Sequence, residues 1–306
     1  MSPLKGMIES HPNQIVYFNE AFGGVEKAFG EYETDYYMNS LKQGVDWLIE
    51  NENLADRSDT VYLVSNCYKE VNQYLKLVNP NLKCRYAKYE NRISKDHKYG
   101  IFISRFTDKS LIQNNWPPEI AIHNVKVKDV PLCTVYKKKT NDDYVGYRFL
   151  VNNDAPRALA HFREYRKNDP NNEVVLEHMG DAYSAMGNTD EALKYYNESL
   201  QLYKGNLAAL EKMGRIFMEQ KKFNAAMKVY QRMIQYHPAQ VQGYYYSAIA
   251  YLNQGNAALG IQFLNKAIEV QPAFRQGYLT LSNIYRQQGN EALANQMMQK
   301  ANALGR

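Results

Sequence analysis

Residues 173–206 read EVVLEHMGDAYSAMGNTDEALKYYNESLQLYKGN, and residues 207–240 read LAALEKMGRIFMEQKKFNAAMKVYQRMIQYHPAQ. Laid one above the other, the two stretches agree where helix packing is most demanding. Gly180 lies over Gly214, Tyr183 over Phe217 and Ala192 over Ala226. The same 34-residue count continues through small Ala248 and Ser282, through Tyr251 and Tyr285, and through Gly260 and Ala294. The first helix of the 173 unit carries Leu176, Met179, Gly180 and Tyr183. Gly187 closes it at a position that wants a left-handed residue, and Ala192 and Tyr196 fall on the second helix. Small residues stand where two helices cross, because only a small side chain lets the backbones approach. The aromatic fills the space beside the crossing.

Working outward, further units begin at Val241 and Arg275, with Gly255 and Gly289 in their turns and Pro238 and Pro272 before them. Counting backward gives one more, from about Lys139, with Gly146, Phe149, Ala158, Phe162 and Pro170 in register. It departs twice. Asp142 stands where later units have Leu176, Leu210, Tyr244 and Tyr278, and Asn153 replaces the turn glycine. Such a unit reads as an atypical, capping first repeat. The spacing is that of the tetratricopeptide repeat, a helix–turn–helix unit. An array of such units buries its core by stacking and offers a concave surface to a ligand. Residues 139–306 are therefore expected to form an all-α repeat superhelix of four to five units, right-handed, built for binding.

The first helix of each unit should line that face, which gives Glu177, Asp181 and Ser184, then Glu211, Arg215 and Met218. Tyr245, Ile249 and Leu252 follow, and last Leu279, Asn283 and Arg286. The best-known ligand mode of such repeats clamps a terminal carboxylate with Lys and Asn. Glu177 and Asp181 stand where that clamp would need them, and two carboxylates repel a third, which argues against it. The expected ligand is a protein or peptide, basic near Glu177, Asp181 and Glu211 and apolar near Tyr245, Ile249 and Leu252. The bland alternative fills the face with neighbouring parts of the chain.

Residues 1–138 have a different texture. Helical spacing runs from Asp35 to about Asn51, with Asp35 as candidate N-cap, and again from Tyr68 to Val78. Val61–Val64, Cys84–Tyr89, Tyr99–Phe106, Ala121–Val127 and Leu132–Tyr136 read as strands, the last two joined by a Lys128-Asp129-Val130-Pro131 turn. This alternation predicts a compact α/β or α+β domain. No catalytic constellation, cofactor motif or metal ladder emerges. Gly23-Gly24 is not a phosphate loop, the Glu33/Asp35 pair suits capping better than chemistry, and Ser65, His123 and Asp129 form no recognisable triad motif. Cys67, Cys84 and Cys133 show no CxxC and sit in apolar stretches, the pattern of buried free thiols.

The balance of charge is mild, at +5 with 23% charged and 45% hydrophobic residues. Lys137-Lys138-Lys139 reads as a solvated turn rather than a nucleic-acid footprint. The 26 tyrosines are assigned mostly to packing. No apolar run approaches the roughly 18–20 residues that span a bilayer, and the start lacks the apolar core of a signal peptide. A soluble polypeptide, or a soluble piece of a larger one, is expected.

One ordered set of motifs is more specific. His11-Pro12 is followed by Tyr17-Phe18-Asn19, Gly23-Gly24, Glu33-x-Asp35-Tyr36-Tyr37, Ser40-Leu41 and Trp47-Leu48. This order resembles the segment after the last membrane span of bacterial glycosyltransferases of the dolichyl-phosphate-mannose protein mannosyltransferase type, family 39. YGIFISR at 99–105, Trp116-Pro117-Pro118 and the run His123 to Cys133 fit the same soluble region, so the resemblance covers about residues 3–138. Tyr37 departs from a common tryptophan. Some such proteins continue into tetratricopeptide repeats.

The resemblance implies an extracytoplasmic, periplasmic-side tail of an enzyme that moves sugar from a polyprenyl-phosphate donor. A membrane-embedded domain of the parent would then be a partner. The family's catalytic acid lies in an early loop between membrane helices that this chain lacks, so no catalytic residue carries over and the chain alone is expected to be inactive. Two other readings stay open: a free-standing, cytoplasmic repeat adaptor, and a soluble enzyme with its site in the α/β half.

Overall fold

The computed structural model describes residues 39–304. The motifs at His11–Tyr37, including Asp35 and its pair with Glu33, lie outside them. The chain divides into two compact units between Lys204 and Gly205.

The first unit opens with α1 (Asn39–Asn51), β1 (Val61–Ser65), α2 (Tyr68–Val78), β2 (Leu82–Tyr86), a 3-10 segment (Tyr89–Ser94) and β3 (Tyr99–Ile103). α3 (Lys109–Asn115), β4 (Ala121–Val127) and β5 (Val130–Lys137) complete the sheet portion. The strand order is β2-β1-β3-β5-β4. β1 pairs in parallel with β2 and β3, whereas β5 runs antiparallel to β3 and β4. Alternation along β3 sends Tyr99, Ile101 and Ile103 into a cluster with Leu41, Val45 and Leu48 of α1 and Val71 and Leu75 of α2. Phe102 points the other way, onto Tyr89, Leu111 and Tyr136. With both faces covered, all five residues of β3 are buried, as central strands of such sheets are. Tyr136 lies over Gly100, where an added Cβ would come within 2.2 Å of the ring.

Four details differ from the sequence reading. The Cys84–Tyr89 strand runs instead from Leu82 to Tyr86, and the Tyr99–Phe106 strand ends at Ile103 in a short 3-10 turn. The expected four-residue turn is only Lys128-Asp129, because Val127 already pairs with Val130 and Lys128 takes a left-handed φ of 53°. Lys137-Lys138-Lys139 is no solvated turn. Lys137 belongs to β5 and reaches Glu52 at 2.6 Å, while buried Lys138 holds Asp143 at 2.8 Å and only Lys139 is exposed. The three cysteines are buried free thiols, as their apolar surroundings suggested.

The same unit continues into paired helices α4 (Asp142–Val151) with α5 (Ala155–Arg166), and α6 (Glu173–Ala185) with α7 (Thr189–Leu202). Asp142 departs from the apolar norm of its register because it accepts a hydrogen bond from His161 of α5 at 2.7 Å. The 3-10 segment joins sheet to helices. Ile93 packs among Ala155, Leu159, Phe162 and Val175, and Arg92 is buried against Glu173, the first residue of α6. Both terminal guanidinium nitrogens, Nη1 and Nη2, are engaged, at 2.6 and 3.1 Å, and Asn115 of α3 donates to the same carboxylate at 3.1 Å.

The second unit holds α8 (Leu207–Glu219) with α9 (Phe223–Tyr236), α10 (Val241–Asn253) with α11 (Ala257–Val270), and α12 (Arg275–Gln287) with α13 (Glu291–Ala303). Every helix–turn–helix turn has a left-handed residue in the same register: Asn153, Gly187, Lys221, Gly255 and Gly289. The next residue caps the second helix in four of the five, where Asp154, Asn188, Asn256 and Asn290 each accept a backbone N–H. Lys222 makes no such cap. The small residue on the first helix is explained by the aromatic on the second: a Cβ on Gly146, Gly180 or Gly214 would lie within 2.6 Å of Phe162, Tyr196 or Tyr230.

Three outcomes are expected. Removing one partner of a buried, bidentate ion pair strands the other, so Arg92→Met should cost about 3–5 kcal/mol in urea unfolding of the full chain. Arg92→Met with Glu173→Leu together should cost clearly less, so additive losses would exclude this account of the pair. In the second unit, Lys221→Gly relieves a left-handed residue that costs an L-amino acid roughly 1–2 kcal/mol. Offset by the greater freedom of glycine in the unfolded chain, it should raise stability by about 1 kcal/mol or less. Gly214→Ala should lower it by roughly 1–3 kcal/mol through overpacking on Tyr230, read by the same denaturation.

Candidate functional site

In the sheet portion several charged side chains pair with one another. A cleft of about 400 Å³ is lined by Arg57, Asp59, His97, Lys98 and Lys138, among others. Arg57 is forked onto Asp59 at 2.7 Å and Lys138 onto Asp143. His97 faces the Lys95 carbonyl through Nδ1 at 2.7 Å and the Tyr136 hydroxyl through Nε2 at 2.8 Å. The carbonyl can only accept, so Nδ1 carries the proton and Nε2 accepts from Tyr136. Burial, reinforced by Lys138, holds this imidazole well below its usual range. For Glu52, burial works against the carboxylate, but the Lys137 ammonium and Tyr99 hydroxyl outweigh it and lower its pKa. Ser65, His123 and Asp129 do not meet. Ser65 Oγ accepts from the Cys67 amide, His123 stacks on Trp47 at 4.4 Å, and two strands separate β1 from β4.

The residues expected on the binding surface fare differently. In the first unit Glu177 is buried, at 6% exposure. Asp181 is half-buried, accepts from the Tyr196 hydroxyl at 2.8 Å and pairs with His178 at 3.1 Å. Glu177, His178 and Asp181 bring ligand-type atoms within 4.8 Å of one another, so among the described residues this turn of α6 could hold a divalent metal.

In the second unit Glu211, Arg215 and Ile249 converge. With Met218 of α8, Tyr230 of α9 and Tyr246 of α10 they line a pocket of about 200 Å³. Glu211 and Arg215 are one turn apart on α8 yet do not pair. Glu211 accepts instead from the Tyr246 hydroxyl at 2.9 Å, leaving the exposed Arg215 with no ion pair or hydrogen bond among the described residues. Burial, with Glu211 as acceptor and as a negative charge, pushes the Tyr246 phenol up to about 12. Tyr230 and Tyr246 meet at 5.3 Å and form one apolar wall.

Tyr245 and Leu252 lie instead against the core of their unit, Tyr245 edge-on to Phe274 at 5.2 Å and both beside Leu264 and Leu281. Asn283 is exposed and does not line the pocket. Sequence reasoning missed Tyr230 and put Tyr245 forward on α10 where its neighbour Tyr246 lines the pocket. The signal is an offset of 35 rather than 34 from Glu211, because side chains of neighbouring helices meet where they lean across and not at equal register.

Tetratricopeptide repeat models match residues 155–205, 185–252 and 241–274. The helical half of the chain thus carries tetratricopeptide repeats, following a small α/β sheet portion. Among solved structures, a crystal structure of MamA is similar at 22% identity, covering 53% of this chain and 94% of that one, with a TM-score of 0.48. MamA (41-end) from Desulfovibrio magneticus RS-1 is similar at 21% identity over 54% of this chain and 93% of that one, with a TM-score of 0.48. No curated protein sequence matches the chain. Among the described residues no helix is long and apolar enough to cross a membrane.

The His97 geometry carries a pH prediction. Its pKa is lowered in the folded state, so below the ordinary value of 6.5 the unfolded chain binds a proton that the folded one refuses. Stability should fall as pH drops through 6.5, by up to about 1.4 kcal/mol per pH unit. Burial raises Asp143 and Asp169 instead, an effect of opposite sign at lower pH. Urea midpoints between pH 8 and 5 should show the loss, and His97→Asn should reduce it, leaving the contribution of His123, whose pKa burial also lowers.

Proposed function

We propose that the repeat half is a protein-interaction scaffold that seats a segment of a partner protein in the Met218, Tyr230, Tyr246 and Ile249 pocket. The observation that supports this is an open apolar hollow on repeat helices, rimmed by one uncommitted cation. A cavity of about 150 Å³ holds benzene, so about 200 Å³ suits one aromatic or branched side chain. Buried aromatic contacts of this kind concentrate binding energy. An unbiased peptide-display selection on the full chain should enrich peptides whose binding drops at least tenfold on Met218→Lys. Enriched peptides indifferent to that change would move the binding surface elsewhere.

A second reading rests on the ordered motifs from His11-Pro12 to Trp47-Leu48. On it, this chain is the non-catalytic, extracytoplasmic module of a polyprenyl-phosphate-sugar glycosyltransferase, and the scaffold docks an acceptor or subunit beside the parent's membrane domain. The free-standing adaptor fits the repeats and pocket equally well. Several apolar spans encoded in frame upstream of Met1 would favour the glycosyltransferase module, and a stop codon there the adaptor.

A further inference from the structure

Resting on the scaffold reading, we infer that the pocket of the second unit takes an apolar side chain neighboured by a side-chain carboxylate: an acidic partner segment, not a basic one. Of the acidic residues expected at this surface, only Glu211 lies at this pocket. Glu177 is buried and Asp181 is bonded to Tyr196 and His178, both in the first unit. In the second, Glu211 accepts from Tyr246 at the pocket rim. The charge at that rim left without a protein partner is Arg215.

The arrangement is directional. The i,i+4 spacing of Glu211 and Arg215 would ordinarily pair them. The Tyr246 hydroxyl captures the carboxylate, and the guanidinium stays open beside the apolar lining formed by Met218, Tyr230 and Ile249. A guanidinium fork beside an apolar wall binds a carboxylate with two parallel hydrogen bonds. The carboxylate should sit on a flexible side chain. A main-chain terminus drawn onto Arg215 would carry its full charge close to Glu211, one turn away, whereas a Glu or Asp stem reaches the guanidinium while its backbone stays clear. Occupants of the two features are then adjacent in the ligand, a Phe- or Leu-type residue and an acidic one within a few positions.

The test uses the full chain and fluorescent twelve-residue peptides, acetylated and amidated at their ends. One pool fixes a central Phe flanked by Glu, and the other the same Phe flanked by Lys. The Glu pool should bind at least tenfold more tightly, and its binding should weaken with added salt. Arg215→Glu should remove that preference or reverse it toward the Lys pool, with the helical circular dichroism unchanged. Arg215→Lys should recover part of the binding. Preference for the Lys pool, equal binding of both, indifference to Arg215→Glu, or binding that requires a free C-terminal carboxylate would each overturn the inference. So would binding of neither pool. The scaffold reading fails separately, when display selection returns no ligand sensitive to Met218→Lys.

Discussion

The first unit depends on a charge pair almost wholly withdrawn from water. Arg92 and Glu173 are 4% and 0% exposed in their side chains, and each would be costly to bury alone. The cost is offset by several bonds made at once: a forked guanidinium, an added Asn115 donor, and a Tyr89 carbonyl that takes a further Arg92 hydrogen at 2.7 Å. Arg92 also lies 3.9 Å from the Tyr89 ring centroid, and Glu173 heads a helix whose N-terminus favours a negative charge. Such a pair specifies one seating of sheet against helix, since any slip strands a charge in an apolar setting. It places the sheet portion and the first two helix pairs in one compact body, although the sequence changes texture near residue 138.

Around that pair the polar groups behave consistently. Lys138 meets Asp143, His97 is wedged between a carbonyl and a phenol, and Asp169 is bonded by Asn172 and Tyr165. Each of these ionisable groups is engaged within the junction of sheet and helices. The pocket in the second unit shows the opposite economy. One carboxylate is satisfied by a neighbouring tyrosine, and one guanidinium is left over beside apolar side chains. Leftover polarity on an apolar rim is the chemistry of recognition.

The turns show how much strain a repeat tolerates. Four of five units put Asn or Gly at the left-handed position and an Asn or Asp cap behind it. The unit with Lys221 and Lys222 does without both. Packing of Gly214 under Tyr230 holds that turn's helices together in spite of it.

What the sequence determined by itself was whatever depends on local periodicity. The 34-residue register placed every repeat helix, because small residues at crossings and left-handed residues at turns are requirements of backbone geometry that recur in each unit. Alternation placed the strands to within a few residues, and apolar surroundings marked the cysteines as buried. Only the tertiary structure decided which equivalent residues are presented. Glu177 and Glu211 hold the same repeat position, but one is buried in the first unit and the other rims a pocket in the second. Tyr245 and Tyr246 are adjacent in the chain, but the first packs on its core and the second turns to Glu211. Those outcomes, like the meeting of Arg92 with Glu173, turn on which side chains from distant segments arrive at the same place, and no local period encodes that.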